Sequence, residues 1–157
     1  MADLFNADFQ DFLLALRQHD VRYVLVGGYS VILHGYSRTT GDLDVWVEKS
    51  AENYLRLVAA FGQFGMPVFD MTPHNFLSNP AMDVFTFGRS PVAIDVITRL
   101  KGVEFAEGFT AAADMDVDGV TVRLIHYPHL LQAKKAANRP RDLNDLENLR
   151  LNKKSGS

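Results

Sequence analysis

One stretch constrains this chain more than any other: VLVGGYSVILHGYSRTTGDLDVWVE, from Val24 to Glu48. Val21 to Val26 is a short β-branched and aromatic run, the composition of a buried strand. Gly27-Gly28 ends it. Tyr29 to His34 is apolar at helical spacing until Gly35 stops it. The loop Tyr36 to Gly41 then leads into Asp42 to Glu48, DLDVWVE, which alternates as a strand. Strand, glycine turn, short helix and second strand in such quick succession commit the chain to a sheet with helices packed against it.

The same stretch concentrates the chemistry. Side chains two apart on a strand share a face, so Asp42 and Asp44 project together while Leu43 and Val45 point the other way. Adjacent carboxylates repel, and one stays protonated unless a cation sits between them. Oxygen anions in pairs suit a hard cation such as Mg²⁺. A third acid, Asp95, lies inside the apolar run Val92 to Ile97, where a charge is costly to bury unless paired or metal-bound. If its strand lies beside the DLD strand, Asp95 joins the cluster, and two metal ions fit such a set. Gly27-Gly28, between a strand and a helix, lets a ligand approach the backbone, and amides at a helix start favour phosphate. Ser30, in the first turn, offers a hydroxyl to the same ligand.

Each signal has a plainer explanation when taken alone. Any strand-to-helix turn uses glycines, and an Asp-x-Asp pair also suits a solvated strand face. Arg38 is either a loop charge or a bidentate contact to triphosphate. Lys134, Lys135 and Arg139, each alone, fit a solvated helix face; together they form a patch facing polyphosphate or RNA. His126 and His129 lack a third ligand, so zinc is not expected. His34 and His74 are read as structural, Trp46 and Tyr29 as core or pocket wall. Asp142 and Asp145 open the last helix, where acids suit the dipole.

Elsewhere, Asn6 caps a helix to His19 and Ser50 caps one from Ala51 to about Phe64. Met82 to Phe87 and Pro91 to Thr98 are strand-like, joined at Gly88-Arg89-Ser90; Asp118-Gly119 turns Ala113–Val117 into Val120–Ile125. A helix after Pro128 runs through Ala137, and another from Arg141 to Leu151. Gly65 to Pro80 stays undetermined. These elements predict an α/β (α+β) fold with a mixed sheet of about five strands flanked by helices. The expected organisation is a single domain over residues 1–151 and a flexible tail over 152–157.

The absence of cysteine excludes disulfides and thiolate zinc sites and fits a reducing compartment. The opening MADLFNADFQDF is not expected to be a secretory signal, and no stretch approaches a membrane span, so a cytoplasmic protein with no membrane partner is expected. A net charge of −3 argues against broad electrostatic capture of nucleic acid, although Lys134, Lys135, Arg139 and Arg141 supply a local basic cluster.

Gly27-Gly28, Asp42-Leu43-Asp44 and the later Asp95 together resemble the core motif of the DNA polymerase beta-like nucleotidyltransferases. Arg38 to Asp44 matches the Arg-x-Thr-x-Asp-x-Asp pattern of small bacterial members, and Lys134 to Asp145 resembles the helical end of AbiEii-type toxin nucleotidyltransferases. Where many members carry serine after the first glycine, Gly28 stands here, as in a Gly-Gly subgroup. The resemblance implies transfer of a nucleoside monophosphate from an NTP to an acceptor hydroxyl, with release of pyrophosphate. Two Mg²⁺ ions would sit on Asp42, Asp44 and Asp95, with Asp95 also helping to deprotonate the acceptor. Gly27, Gly28, Ser30, Arg38, Thr40, Lys134 and Arg139 would meet the nucleotide. The acceptor is a tRNA 3′ end or a protein in the toxin-like group, which also brings an antitoxin-type protein partner. It is a small molecule in the aminoglycoside and lincosamide group, which the acidic charge favours. A module that binds nucleotide or a partner without catalysis is the remaining alternative; retention of all three acids ranks it lower.

Overall fold

The computed structural model describes residues 3–89 and 91–155. Its elements run α1 Ala7–Gln18, β1 Tyr23–Val26, α2 Gly27–Leu33, β2 Leu43–Val47, α3 Ala51–Phe64, α4 Pro73–Leu77, β3 Val84–Phe87, β4 Ile94–Ile97, α5 Phe105–Ala111, β5 Ala113–Val117, β6 Val120–Leu124, α6 Tyr127–Ala137 and α7 Pro140–Ser155. The mixed sheet has six strands, one more than expected, in the order β3-β4-β2-β1-β6-β5. β1 runs antiparallel to β2 and parallel to β6. β2 runs parallel to β4, and each end of the sheet is an antiparallel hairpin.

One face carries Leu25, Val45, Phe85 and Phe87 and packs against α1, α3 and α4. Phe12 meets Phe61 edge-on at 5.6 Å, Phe61 meets Phe87 at 4.8 Å, and Phe76 stacks on Phe85 at 6.3 Å. The caps read from the sequence are made: Asn6 accepts from the Phe9 amide and Ser50 from the Asn53 amide, each cap contributing about 1 kcal/mol. The opposite face carries Asp44, Trp46 and Asp95. There α5 covers Trp46, whose ring lies 5.1 Å from that of Phe105, and the end bearing the two acids is left for the cleft described below.

Several boundaries differ from the sequence expectation. The undetermined stretch contains α4, whose cap is Thr72 with Pro73 at the first helical position. The β3–β4 connection is longer than a tight turn, because the Ala93 amide is given to Asp42 and the exposed Pro91 and Val92 do not pair with β3; Ser90 lies outside the described residues. β2 begins at Leu43, so Asp42 stands one residue before the strand. The last helix continues through residues 152–155 of the expected tail. Among the described residues no helix is long and apolar enough to cross a membrane.

Candidate active site

Strand register brings two of the three acids together. In the parallel β2–β4 pair, Asp44 stands opposite Asp95, and in the antiparallel β1–β2 pair it stands opposite Val26, the residue before Gly27. The two carboxyls are hydrogen-bonded to each other, and the Asp44 carboxyl is pushed up to about 7, first by burial, then by the bond to Asp95 and by the charges of Asp95 and Asp42. Lys134 acts in the opposite direction. Asp95 also accepts a 2.6 Å bond from the Thr86 hydroxyl. Asp42 accepts from the Ala93 amide at 2.9 Å, which fastens the residue before β2 to the residue before β4.

The two glycines are required by close approach. Gly27 has φ +73°, and a Cβ there would lie 2.0 Å from Asp44 Oδ2. A Cβ on Gly28 would lie 2.0 Å from Thr40 Oγ1 and 3.4 Å from an Arg38 nitrogen. The turn is therefore pressed directly against the acid strand and against the Arg38–Thr40 loop. These residues line a cleft of about 380 Å³, shared with Gly41, Asp42, Pro91, Asp95, Lys134, Arg139 and Arg141. Three carboxylates and four cationic side chains thus face one space.

Ser30 is the exception among the expected nucleotide contacts. It is buried, its hydroxyl donates to the Gly27 carbonyl at 2.7 Å, and it does not line the cleft. The fourth residue of the turn bonds back to the first, which consumes the hydroxyl inside the element.

Asp142 and Asp145 open α7 as expected of structural acids, and they are buried, at 1% and 0% exposure, among the cleft's cations. Asp145 lies 2.8 Å from Arg38 Nε and 2.9 Å from Lys134 Nζ, and Arg38 Nη2 donates to it at 3.0 Å. Asp142 accepts from Arg139 Nε at 2.6 Å and lies 3.4 Å from Lys134 Nζ. Burial alone would raise the Asp142 carboxyl, but the bonds from Arg139 and the charge of Lys134 win and hold it below its ordinary value. Lys134, expected on an open helix face, is buried; Lys135 is exposed. Lys134 lies eight residues before Asp142, across an αL break at Asn138 that folds α6 back on α7, and that spacing alone does not reveal which face of α7 turns inward. His126 and His129 lie ring to ring at 5.5 Å, and among the described residues no three His, Asp or Glu side chains form a ready-made metal-binding group.

A family model described as a nucleotidyltransferase of unknown function, DUF6036, matches residues 2–155. No curated protein matches the sequence. Among solved structures, the chain is similar to the solution structure of the antibiotic-resistance factor ANT(2'')-Ia, with TM-score 0.54 and 15% identity over 96% of this chain and 83% of that one. It is also similar to the crystal structure of the lincomycin-bound lincosamide antibiotic adenylyltransferase LnuA, with TM-score 0.54 and 12% identity over 95% of this chain and 98% of that one. At these identities the likeness is one of fold.

Proposed function

Because the chain belongs to the DUF6036 family of nucleotidyltransferases, we propose that its cleft moves a nucleoside monophosphate from an NTP to an acceptor hydroxyl, with Mg²⁺, and releases pyrophosphate. The register of Asp44 against Asp95, beside a glycine turn that only a bare backbone fits, carries the reading. Burial first, then the bond and charge of Asp95 and the charge of Asp42, hold the Asp44 carboxyl near 7, and Lys134 offsets them only in part. Their oxygen-only donor set suits Mg²⁺. Asp42 commits Oδ1 to Ala93, so Asp44 and Asp95 are the pair that would hold the ion first, with Asp42 alongside. The bound ion would neutralise charge developing on the transferred phosphoryl group.

In this reading the chain's own residues position both reactants. The Gly27-Gly28 backbone admits the phosphates closely, and Arg38, Thr40, Lys134 and Arg139 face them across the cleft. Asp95 takes the acceptor's proton. The acceptor oxygen then bonds to the α-phosphorus as the bond from that phosphorus to the bridging oxygen of the β-phosphate breaks, and pyrophosphate leaves.

For the acceptor we favour the toxin-like group, a tRNA 3′ end or protein hydroxyl, on the C-terminal basic residues Lys134, Arg139 and Arg141 that line the cleft. An antitoxin-type partner belongs to that reading. A small basic acceptor is the second reading, favoured by the net charge of −3 and by fold neighbours named as an antibiotic-resistance factor and a lincosamide antibiotic adenylyltransferase. The test offers each labelled NTP with Mg²⁺ to total tRNA, an aminoglycoside mixture, a lincosamide, or no acceptor. Label is expected on tRNA, falling by more than ~100-fold in a folded Asp44→Ala variant, equivalent to roughly 2.7 kcal/mol of transition-state stabilisation. Label on a drug selects the second reading. Undiminished transfer by Asp44→Ala overturns the site, and nucleotide binding without pyrophosphate release points to a binding module.

A further inference from the structure

At the opposite end of β1 from the glycine turn lies a second concentration of charge that the transfer site does not use. Arg22 precedes β1 and stands five positions before Gly27, about 16 Å away at ~3.3 Å per strand residue. It joins Arg17 from α1, Arg56 from α3 and Arg123 from β6 in lining a pocket of about 430 Å³. Two acids share that lining, Asp20 and Asp114, and Glu48 and Glu52 pair with Arg22 and Arg56 from outside it.

The guanidinium groups are held without being saturated. Arg22 and Arg123 both lie over the Phe109 ring, 4.3 and 4.7 Å from its centroid, which fixes their planes and leaves their edges to donate. Arg123 gives Nη2 to the Phe109 carbonyl at 2.6 Å and Nη1 to Asp114 at 3.4 Å, the latter a long bond that an anion can replace, while its Nε is buried out of a ligand's reach. Asp114 is shared at 3.4 Å by both Arg17 and Arg123, so one carboxylate serves two cations at long range. Arg22 and Arg56 are engaged by Glu48 and Glu52, neither of which lines the pocket.

We propose that this pocket is a second anion site, distinct from the transfer cleft, that takes a diphosphate or triphosphate group. Four forked donors, on α1, α3, β6 and the residue before β1, exceed what one phosphate can accept, and a chain of phosphates offers oxygens to several walls at once. The pocket does not suit RNA, because the Phe109 ring is occupied by guanidinium groups and offers no platform for a base. The phosphates can arrive free, as pyrophosphate, or on a nucleotide.

Amide shifts in ¹H–¹⁵N spectra, recorded in EDTA while titrating pyrophosphate, ADP or a short RNA oligonucleotide, test the proposal. Pyrophosphate is expected to shift the amides of Arg17 to Tyr23 and of Arg123 in a saturable way. Its affinity should weaken at least tenfold in Arg17→Ala/Arg56→Ala, whose side chains are 48% and 35% exposed and therefore removable without unfolding. Nucleotidyl transfer by this variant should be unchanged. Arg123→Lys, which keeps the charge and loses the fork, should weaken binding as well. ADP binding more tightly than pyrophosphate assigns the site to a nucleotide, and equal affinity assigns it to the free anion. Shifts confined to Gly27–Arg38, RNA binding without pyrophosphate binding, or unchanged affinity in the double variant would overturn the proposal.

Discussion

At Asp44, burial, the bond to Asp95 and the charges of Asp95 and Asp42 all oppose ionisation, and only Lys134 favours it. The folded protein therefore keeps a proton that the unfolded chain releases near pH ~4. Since the folded state binds more protons between that value and about 7, this group makes stability fall as pH rises through the window and level off above it. His34 acts the other way: burial holds its ring below the ordinary value, so the unfolded chain binds the extra proton and stability rises with pH up to ~6.5. The Asp44 contribution is isolated by subtracting the melting curve of Asp44→Asn from that of the parent in EDTA. The difference should fall from pH 5 to pH 8. Because a proton and Mg²⁺ compete for the same oxygens, added Mg²⁺ should raise Tm more at pH 8 than at pH 5.5. An equal Mg²⁺ shift at both pH values would count against Asp44 as a cation ligand.

Two helical glycines, alike in sequence, behave differently once the elements are packed. Gly62 lies in α3 with open space where a Cβ would be, whereas a Cβ on Gly108 in α5 would lie 2.6 Å from the buried Trp46 ring. Alanine gains about 1 kcal/mol over glycine in a helix interior. Gly62→Ala should therefore stabilise by roughly that amount, while Gly108→Ala should destabilise, because an aromatic ring held at 1% exposure cannot yield without disturbing the sheet. Urea denaturation of the two variants measures both signs, and a stabilising Gly108→Ala would show that α5 is not seated on Trp46. The same contrast marks what sequence reveals at this scale. α1 and α3 were legible because each carries a cap and an apolar stripe of its own, and the β5–β6 hairpin because Asp118-Gly119 has the positive φ angles its turn demands. α5 was not, because its glycine is there for a ring distant in sequence. α4 was overlooked although Thr72-Pro73 announced it.

The cleft exists only when both ends of the chain's topology meet. Its acids were legible, since alternation on one strand and an acid inside an apolar run are local signals, and the parallel β2–β4 register then set Asp44 opposite Asp95. Of its cations, Arg38 was legible from its place in the loop before the acids, and Lys134, Arg139 and Arg141 only as a patch. What composition and spacing do not encode is that α7 turns Asp142 and Asp145 inward, so that Arg38 and Lys134 are held by buried acids and the exposed Arg139 is tied to Asp142. Asp145 is the shared anchor, joining a loop near residue 38 to helices that follow the whole sheet. Removing one partner from a buried ion network leaves charges without compensation, which costs about 3–5 kcal/mol. Asp145→Ala should lose stability in that range by urea denaturation, because Arg38 and Lys134 are only 16% and 10% exposed and cannot reach water freely. Asp114→Ala, which removes an acid shared by two arginines at 3.4 Å on an exposed edge strand, should cost no more than ~1 kcal/mol. Equal losses in the two variants would mean that α7 is not held to the sheet through Asp145, and that the cleft's cations are positioned by the helices' own packing instead.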